Sequence, residues 1–338
     1  MSLGGVKMID WLRFGFLSRG KELETQPESR PENFRHCRVI AVSNQKGGTF
    51  KTGWTICYSR LFSDSPRTYA IYGRYPKVAI VGMDPACGVE RAFGLADSML
   101  ERIKNTSLPA VLHHPDVDGL RPLPTHRIVQ RFQNIHLYPA TPGLSAYDSL
   151  MEVLAAQHRA DVDAAELKRA EATSSRLRET RLLLKRFVDA IRDQYDRILI
   201  DSKPGEGELN LATLLAADWV HIPTLLSDAS ITQARRRADL VTEAAKMNPG
   251  LQIMAVIPTN LHKGNPRQRL WLAELSRKPS TPMKPDLSGW VVSPIWYNAH
   301  IDTIVENAHS RVYRRPLQQA VGVAFDQVLR MEGAYDRR

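Results

Sequence analysis

An α/β fold, a mostly parallel, twisted sheet with helices on both faces, is what this sequence predicts, and three observations predict it. Short β-branched apolar runs alternate with longer helical stretches. Glycine, aspartate or polar clusters stand at the carboxyl ends of several of those runs. The 338-residue chain is 43% hydrophobic, ample for a buried sheet. Continuous short apolar runs are the pattern of strands covered on both faces. Open α/β sheets bind ligands beyond the carboxyl ends of their strands, which directs attention to the polar clusters.

Residues 1–36 read as an N-terminal amphipathic segment and a polar linker. Met8, Ile9, Leu12 and Phe16 recur at helical spacing with Trp11 and Phe14 beside them, and Ser18–Glu32 then brings two prolines and many charges. Such a segment either packs on its own domain or touches a membrane or partner. Residues 37–338 read as one domain. Its expected strands are Val39–Val42, Val78–Val81, Ile135–Tyr138, Ile198–Ile200, Trp219–Ile222, Ile253–Ile257 and Val291–Ile295. Met151–Asp193, with Leu182, Leu183, Phe187 and Ile191 near helical spacing, reads as one or two helices, whereas Ser63–Pro76 and Asn105–Arg131 read as loop-rich insertions. The cysteines at 37, 57 and 87 lack metal-type spacing, and an odd number argues against a disulfide framework, so a reducing cytoplasm is the plain expectation. No apolar run approaches the ~20 residues of a membrane-spanning helix, and no secretory signal opens the chain.

The net charge is +10, and from Ser230 onward 16 Lys and Arg face 9 Asp and Glu, a surplus of +7. That concentration suits a polyanionic partner, nucleic acid or an anionic membrane face, and equally a solvated basic surface.

The most informative stretch is Gln45-Lys46-Gly47-Gly48-Thr49-Phe50-Lys51-Thr52, directly after the first apolar run. A strand turning through a glycine loop into a helix aims backbone N–H groups at phosphates, adds the Lys51 ammonium and offers the Thr52 hydroxyl to Mg²⁺. Gln45 and Phe50 occupy the two glycine positions of the usual G-x-x-x-x-G-K-[ST] pattern. A glycine before the lysine allows a backbone conformation that a Cβ resists. Phe50 therefore implies either a remodelled loop or weakened nucleotide binding, and Gly53 lacks a hydroxyl at the next turn.

The K-G-G-x-x-K-T string resembles the deviant phosphate loop, K-G-G-x-G-K-T, of the ParA/MinD family of P-loop ATPases. Val81-Gly82-Met83-Asp84-Pro85 resembles that family's D-x-D-P-Q, with Gly82 in place of the first acid and Ala86 in place of the glutamine; alone, it reads equally as an Asp-Pro turn. Arg197–Asp201 followed by Ser202-Lys203-Pro204 resembles the Walker B strand, Leu214–Pro223 the A-A-D-x-V-x-I-P stretch, and Leu137–Leu144 the L-x-P-A-T-P-x-L stretch. The resemblance covers roughly Arg38 to Ala324 and implies a P-loop NTPase fold.

It further implies ATP and Mg²⁺ as cofactors and an ATP-dependent sandwich homodimer. Gln45, Lys46, Gly47, Gly48, Thr49, Phe50, Lys51, Thr52 and Gly53 would contact nucleotide, with Thr259 and Asn260 near the adenine. Lys46, Lys51 and Asp84 would be catalytic, Lys46 by reaching the partner's phosphates, and Thr52 and Asp201 would hold the metal. Arg235, Arg236, Arg237, Lys263, Arg267, Arg269, Arg311, Arg314 and Arg315 are the residues suited to non-specific DNA. A ParB-like adaptor or cargo protein and a nucleoid-associated, cytoplasmic location complete the implied picture. Gly82, Ala86 and Phe50 leave open a non-hydrolysing regulatory or structural paralogue, and the N-terminal segment a MinD-like membrane-cycling positioner. Amide-forming synthetases of the same superfamily remain a minor alternative.

Overall fold

The structure is a computed structural model, and it describes residues 34, 36–102, 123–124, 134–262, 264–277, 286–296 and 314–333. The N-terminal amphipathic segment, most of the Asn105–Arg131 stretch, and the basic residues Lys263 and Arg311 lie outside the described residues.

Among the described residues seven strands form one sheet: β1 (Arg38–Val42), β2 (Val78–Met83), β3 (Leu123–Pro124), β4 (Ile135–Tyr138), β5 (Arg197–Ser202), β6 (Trp219–Leu225) and β7 (Gln252–Thr259). Their order is β3-β4-β2-β5-β1-β6-β7. All pairs are parallel except the two-residue edge strand β3, which runs antiparallel to β4. β1, β2 and β5 are buried almost throughout, as strands covered on both faces must be. Six of the seven expected strands form at their expected places. The seventh, Val291–Ile295, runs beside β7 without forming a full strand: Val291 bridges Val256 in parallel, and Val292 N and Ile295 N donate to Val256 O at 3.0 Å and Pro258 O at 2.8 Å.

The helices are α1 (Lys51–Asp64), α2 (Pro66–Tyr72), α3 (Gly88–Ala92), α4 (Asp97–Arg102), α5 (Leu144–Asp163), α6 (Leu167–Ile191), α7 (Glu208–Ala216), α8 (Asp228–Ala245), α9 (Pro266–Ser276) and α10 (Arg314–Met331). α1 is buried along nearly its whole length, beneath α10 and against the central strands. α5 to α8 pack on one another and form the other main group. Met151–Asp193 is thus two helices, separated at Ala164–Glu166, where Ala165 adopts φ 55°. Ser63–Pro76 is mostly helix rather than loop. Ser65 caps α2 by accepting from Arg67 N at 3.1 Å, and Pro66 opens that helix, so Ser-Pro is here a start signal.

Behind the sheet lies an ionic cluster that no spacing in the sequence announces. Arg197 and Glu332 are fully buried and pair at 3.3 Å, and Tyr58 donates to Glu332 at 2.6 Å. The Trp54 indole donates to His221 Nδ1 at 3.1 Å. These contacts tie α1, β5 and β6 to the end of the C-terminal helix.

Candidate functional site: a phosphate loop at the strand ends

β1 runs through Ser43 and Asn44 into the glycine loop, which is clamped from both sides. Ser43 N donates to His221 O at 2.9 Å, Asn44 Nδ2 to Pro223 O at 2.7 Å, and Gly205 N to Gln45 O at 2.6 Å. The loop after β5 is therefore bonded directly to the phosphate loop. Gly47 and Gly48 are exposed, and Gly48 has φ 69°.

Lys51 opens α1. It is buried, and its ammonium donates to Lys46 O at 3.0 Å. Burial lowers its pKa, with Asp201 and Asp84 opposing that shift and Arg237 adding to it. The Thr52 hydroxyl donates to Asp201 Oδ2 at 2.9 Å and Thr55 to Oδ1 at 3.0 Å. Burial pushes the Asp201 carboxyl up to about 7, against the two hydroxyl bonds and Lys51, which lower it; the Asp84 charge adds to the rise. A hydroxyl and a carboxylate meeting at the head of a helix suit magnesium, which keeps several waters and takes few protein ligands. Among the described residues no group of three or more His, Cys, Asp or Glu could hold a metal. A cation here would thus depend on phosphate oxygens as well as on Thr52 and Asp201. Bound there, Mg²⁺ would neutralise charge on the β and γ phosphates while Lys51 and the loop amides hold them in place.

Phe50 keeps the backbone that glycine would adopt: φ 72° and ψ 26°, the left-handed region. Its ring is half-buried and lies on the first turn of α1. A Cβ at Gly53 would stand 2.2, 2.4 and 2.6 Å from three ring carbons. The aromatic at 50 and the missing side chain at 53 are therefore one steric unit, which corrects the reading of them as separate departures. The alternative of a remodelled backbone is also answered: the loop keeps its left-handed turn at residue 50.

Asp84 follows β2 and is half-buried. Its carboxylate accepts from Ala86 N at 2.9 Å, an Asp-Pro turn within electrostatic reach of Lys51 and Asp201. Lys46 donates to Ser230 Oγ at 3.1 Å, and Ser227 donates to the same oxygen at 2.8 Å; these serines at the start of α8 carry no signal in the sequence. Thr259 is buried and donates toward Thr224 O at 3.2 Å and Thr49 O at 3.4 Å, joining β7 to the loop, while Asn260 is exposed at φ 59°.

The basic candidates divide. Arg236, Arg267 and Arg269 are exposed, and Arg235 pairs with Glu274 at 3.5 Å. Arg237 departs from the expectation of a DNA-facing role. It is fully buried, donates to Gly205 O at 2.7 Å, and burial lowers its pKa to about 10, with Glu206 opposing. Successive helical residues point about 100° apart, and of these three it is Arg237 that faces inward. Arg314 and Arg315 begin α10. No helix among the described residues is long and apolar enough to cross a membrane.

A strand, a glycine loop clamped by its neighbours and a helix opening on Lys-Thr against a buried aspartate define a P-loop nucleotide-binding protein. Residues 37–253 match the AAA domain family, and the chain belongs to the ParA/MinD type of P-loop ATPases within it. Over 225 residues it is 26% identical to the chromosome partitioning protein ParA of Myxococcus xanthus, covering 66% of this chain and 64% of that one. An uncharacterized Mycobacterium tuberculosis protein is 27% identical over 66% of this chain, a match that spans 58% of the relative's length. Among solved structures, a Cyanothece McdA–ATP complex superposes with TM-score 0.60 at 18% identity, over 90% of this chain and 99% of that one. Cobyrinic acid a,c-diamide synthase of Mycobacterium smegmatis, with ATP analog and magnesium, gives TM-score 0.55 at 20% identity over 83% and 96%. These likenesses show the same fold.

Proposed function

We propose that this chain is a partition-type ATPase. It binds ATP with Mg²⁺, closes as a nucleotide-sandwich homodimer, and in that state binds DNA without sequence preference, positioning a plasmid, chromosome region or other cargo on the nucleoid under control of a ParB-like adaptor. The observation that carries the reading is the bond from Thr52 to the buried Asp201, set directly behind Lys51 and the exposed Gly47-Gly48 amides. In the reaction the attacking water forms a bond to the γ phosphorus as the bond to the bridging oxygen breaks, giving ADP and phosphate. Lys51 and Lys46 offset the charge on the phosphate oxygens, and Asp84 orients the water. The chain holds its own Lys46 on Ser230, so a role across the dimer requires that contact to be released. The basic surplus after Ser230 and the exposed Arg236, Arg267 and Arg269 supply sequence-independent phosphate contacts.

A second reading, a non-hydrolysing paralogue, is favoured by one observation: Asp84 is engaged with Ala86 N in its own turn. Calorimetry with ATP and Mg²⁺, paired with light scattering for dimer formation, tests the leading reading. Wild type should bind and dimerise, and Lys51→Ala should abolish binding by deleting the main charge on the β and γ phosphates. A wild type without affinity at millimolar ATP ends the ATPase reading. Binding and dimerisation without phosphate release selects the paralogue.

A further inference from the structure

Gly82 and Asp201 are register partners on the adjacent parallel strands β2 and β5. Side chains at the two positions leave the same face of the sheet, toward the start of α1, where Thr52 and Thr55 meet Asp201. Position 82 carries no side chain, yet its space is filled. A Cβ there would stand 2.0 Å from Glu90 Oε1 and 2.9 Å from Ala140 N. Glu90 arrives from α3, whose first residue lies against the metal-side hydroxyl: a Cβ on Gly88 would meet Thr52 Oγ1 at 3.4 Å. Its side chain is 1% exposed and accepts from Ala140 N at 2.7 Å. Burial pushes this carboxyl up to about 8; Asp201 and Asp84 add to the rise, and the backbone N–H groups of Glu90 and Ala140 oppose it.

We propose that Glu90 is a positioning carboxylate of the nucleotide site: carried by α3 into the space beside Gly82, it takes the place of an acid on β2 and, with Asp84 and Asp201, orders the water around phosphate-bound magnesium. The inference rests on the ATPase reading. The rival role for Glu90 is a clasp that joins the ends of β2 and β4 through Ala140. A clasp needs only an acceptor oxygen, whereas ordering metal-bound water needs negative charge.

Glu90→Gln separates the two, because its amide oxygen keeps the Ala140 bond at the same reach and removes the charge. The measurements on the full chain, made above pH 8 where the Glu90 carboxyl is ionised, are thermal unfolding, ADP calorimetry with and without Mg²⁺, and phosphate release from ATP. The Gln variant should melt near wild type and bind metal-free ADP as wild type does. It should lose about tenfold of the magnesium-dependent gain in ADP affinity and about tenfold in turnover, the scale of groups that act through metal-bound water. Glu90→Asp should recover part of both. Wild-type magnesium dependence in the Gln variant reduces Glu90 to a clasp and overturns the inference while the ATPase reading stands. If the Gln variant unfolds, the uncharged Glu90→Met, which fills the same space, decides, and wild-type magnesium dependence there overturns it equally. A wild type that binds neither ADP nor Mg·ADP overturns both.

Discussion

Gly53→Ala is the sharpest probe of the phosphate loop, because its expected sign is the reverse of the ordinary one. Inside a helix, replacing glycine by alanine normally stabilises by about 1 kcal/mol. Here the new Cβ would stand 2.2 Å from the Phe50 ring. Something must move, and overpacking of this kind costs about 1–3 kcal/mol. The half-buried ring can swing outward at the expense of its contact with the core, so the net effect should be a destabilisation of about 1 kcal/mol. Phe50→Gly removes the obstacle and relieves a left-handed residue bearing a Cβ, worth about 1–2 kcal/mol. It also loses the ring's packing and adds glycine's unfolded-state freedom, about 0.5–1 kcal/mol. In that background Gly53→Ala should regain its normal stabilising sign. The coupling between the two sites, read from urea denaturation of the four proteins, should be about 2 kcal/mol. Additive effects, or a wild-type background stabilised by Gly53→Ala, would refute the claim that ring and missing side chain share one space. On the ATPase reading, Phe50→Gly should also raise nucleotide affinity in calorimetry; a fall would make the aromatic an adapted part of the pocket.

Three further outcomes follow from the charged groups. DNA binding should require ATP and fall steeply with salt. Replacing Arg236, Arg267 and Arg269 by alanine should weaken all sequences alike and flatten the log–log salt slope by about 0.9 per lost phosphate contact, as measured by fluorescence anisotropy; a salt-insensitive or sequence-selective interaction argues against partition. Glu332→Ala leaves Arg197 buried without its carboxylate and should cost about 3–5 kcal/mol, whereas Arg197→Met with Glu332→Leu should recover most of that in urea denaturation. His221 is held neutral, with its pKa lowered by burial and by Arg197 to about 3, so the unfolded chain takes up a proton near pH 6.5 that the folded chain refuses. Stability from this group is full above pH 6.5 and lost as pH falls toward 3, about 2 kcal/mol of it by pH 5. His221→Gln should therefore flatten the acid limb of stability against pH relative to wild type, and an unchanged limb would remove the residue from acid unfolding.

Much of the frame was legible because its causes are local. Doubly buried strands advertise themselves as continuous apolar runs, and a loop that must aim amides, a lysine and a hydroxyl at phosphate leaves those residues at fixed spacing. Val291–Ile295 had the same apolar character but lies along the free edge of β7, where it pairs through isolated bridges rather than a continuous ladder. Ser63–Pro76 was misread because serine and proline mark loops and helix starts alike, and only the Ser65–Arg67 bond distinguishes them. The Arg235-Arg236-Arg237 triplet shows charge but not direction, and the helix turned one guanidinium under the loop after β5. Arg197 and Glu332 lie 135 positions apart, beyond any periodicity. Lys46 on Ser230 was hidden for a similar reason, since neither serine of α8 differs in sequence from an ordinary helix cap.

The two most awkward departures from the family pattern share a physical form. At residue 50 a bulky side chain stands where glycine is usual, and at 53 its ring occupies the space a side chain would need. At residue 82 a side chain is missing, and the Glu90 carboxylate occupies the space it left. In each case the space is filled, by a residue other than the one the pattern places there. A motif residue of this kind cannot be judged alone, since restoring one half collides with the other: an added Cβ at 53 meets the ring, and one at 82 meets Glu90 Oε1 and Ala140 N. A site decaying without constraint would leave gaps or exposed polar atoms there. Here Phe50 keeps the left-handed turn, Asp201 keeps both hydroxyl partners, and a buried carboxylate lines the end of β2. The pairing makes a side chain added alone at 53 or 82 the wrong control for activity, and the double variants the informative ones.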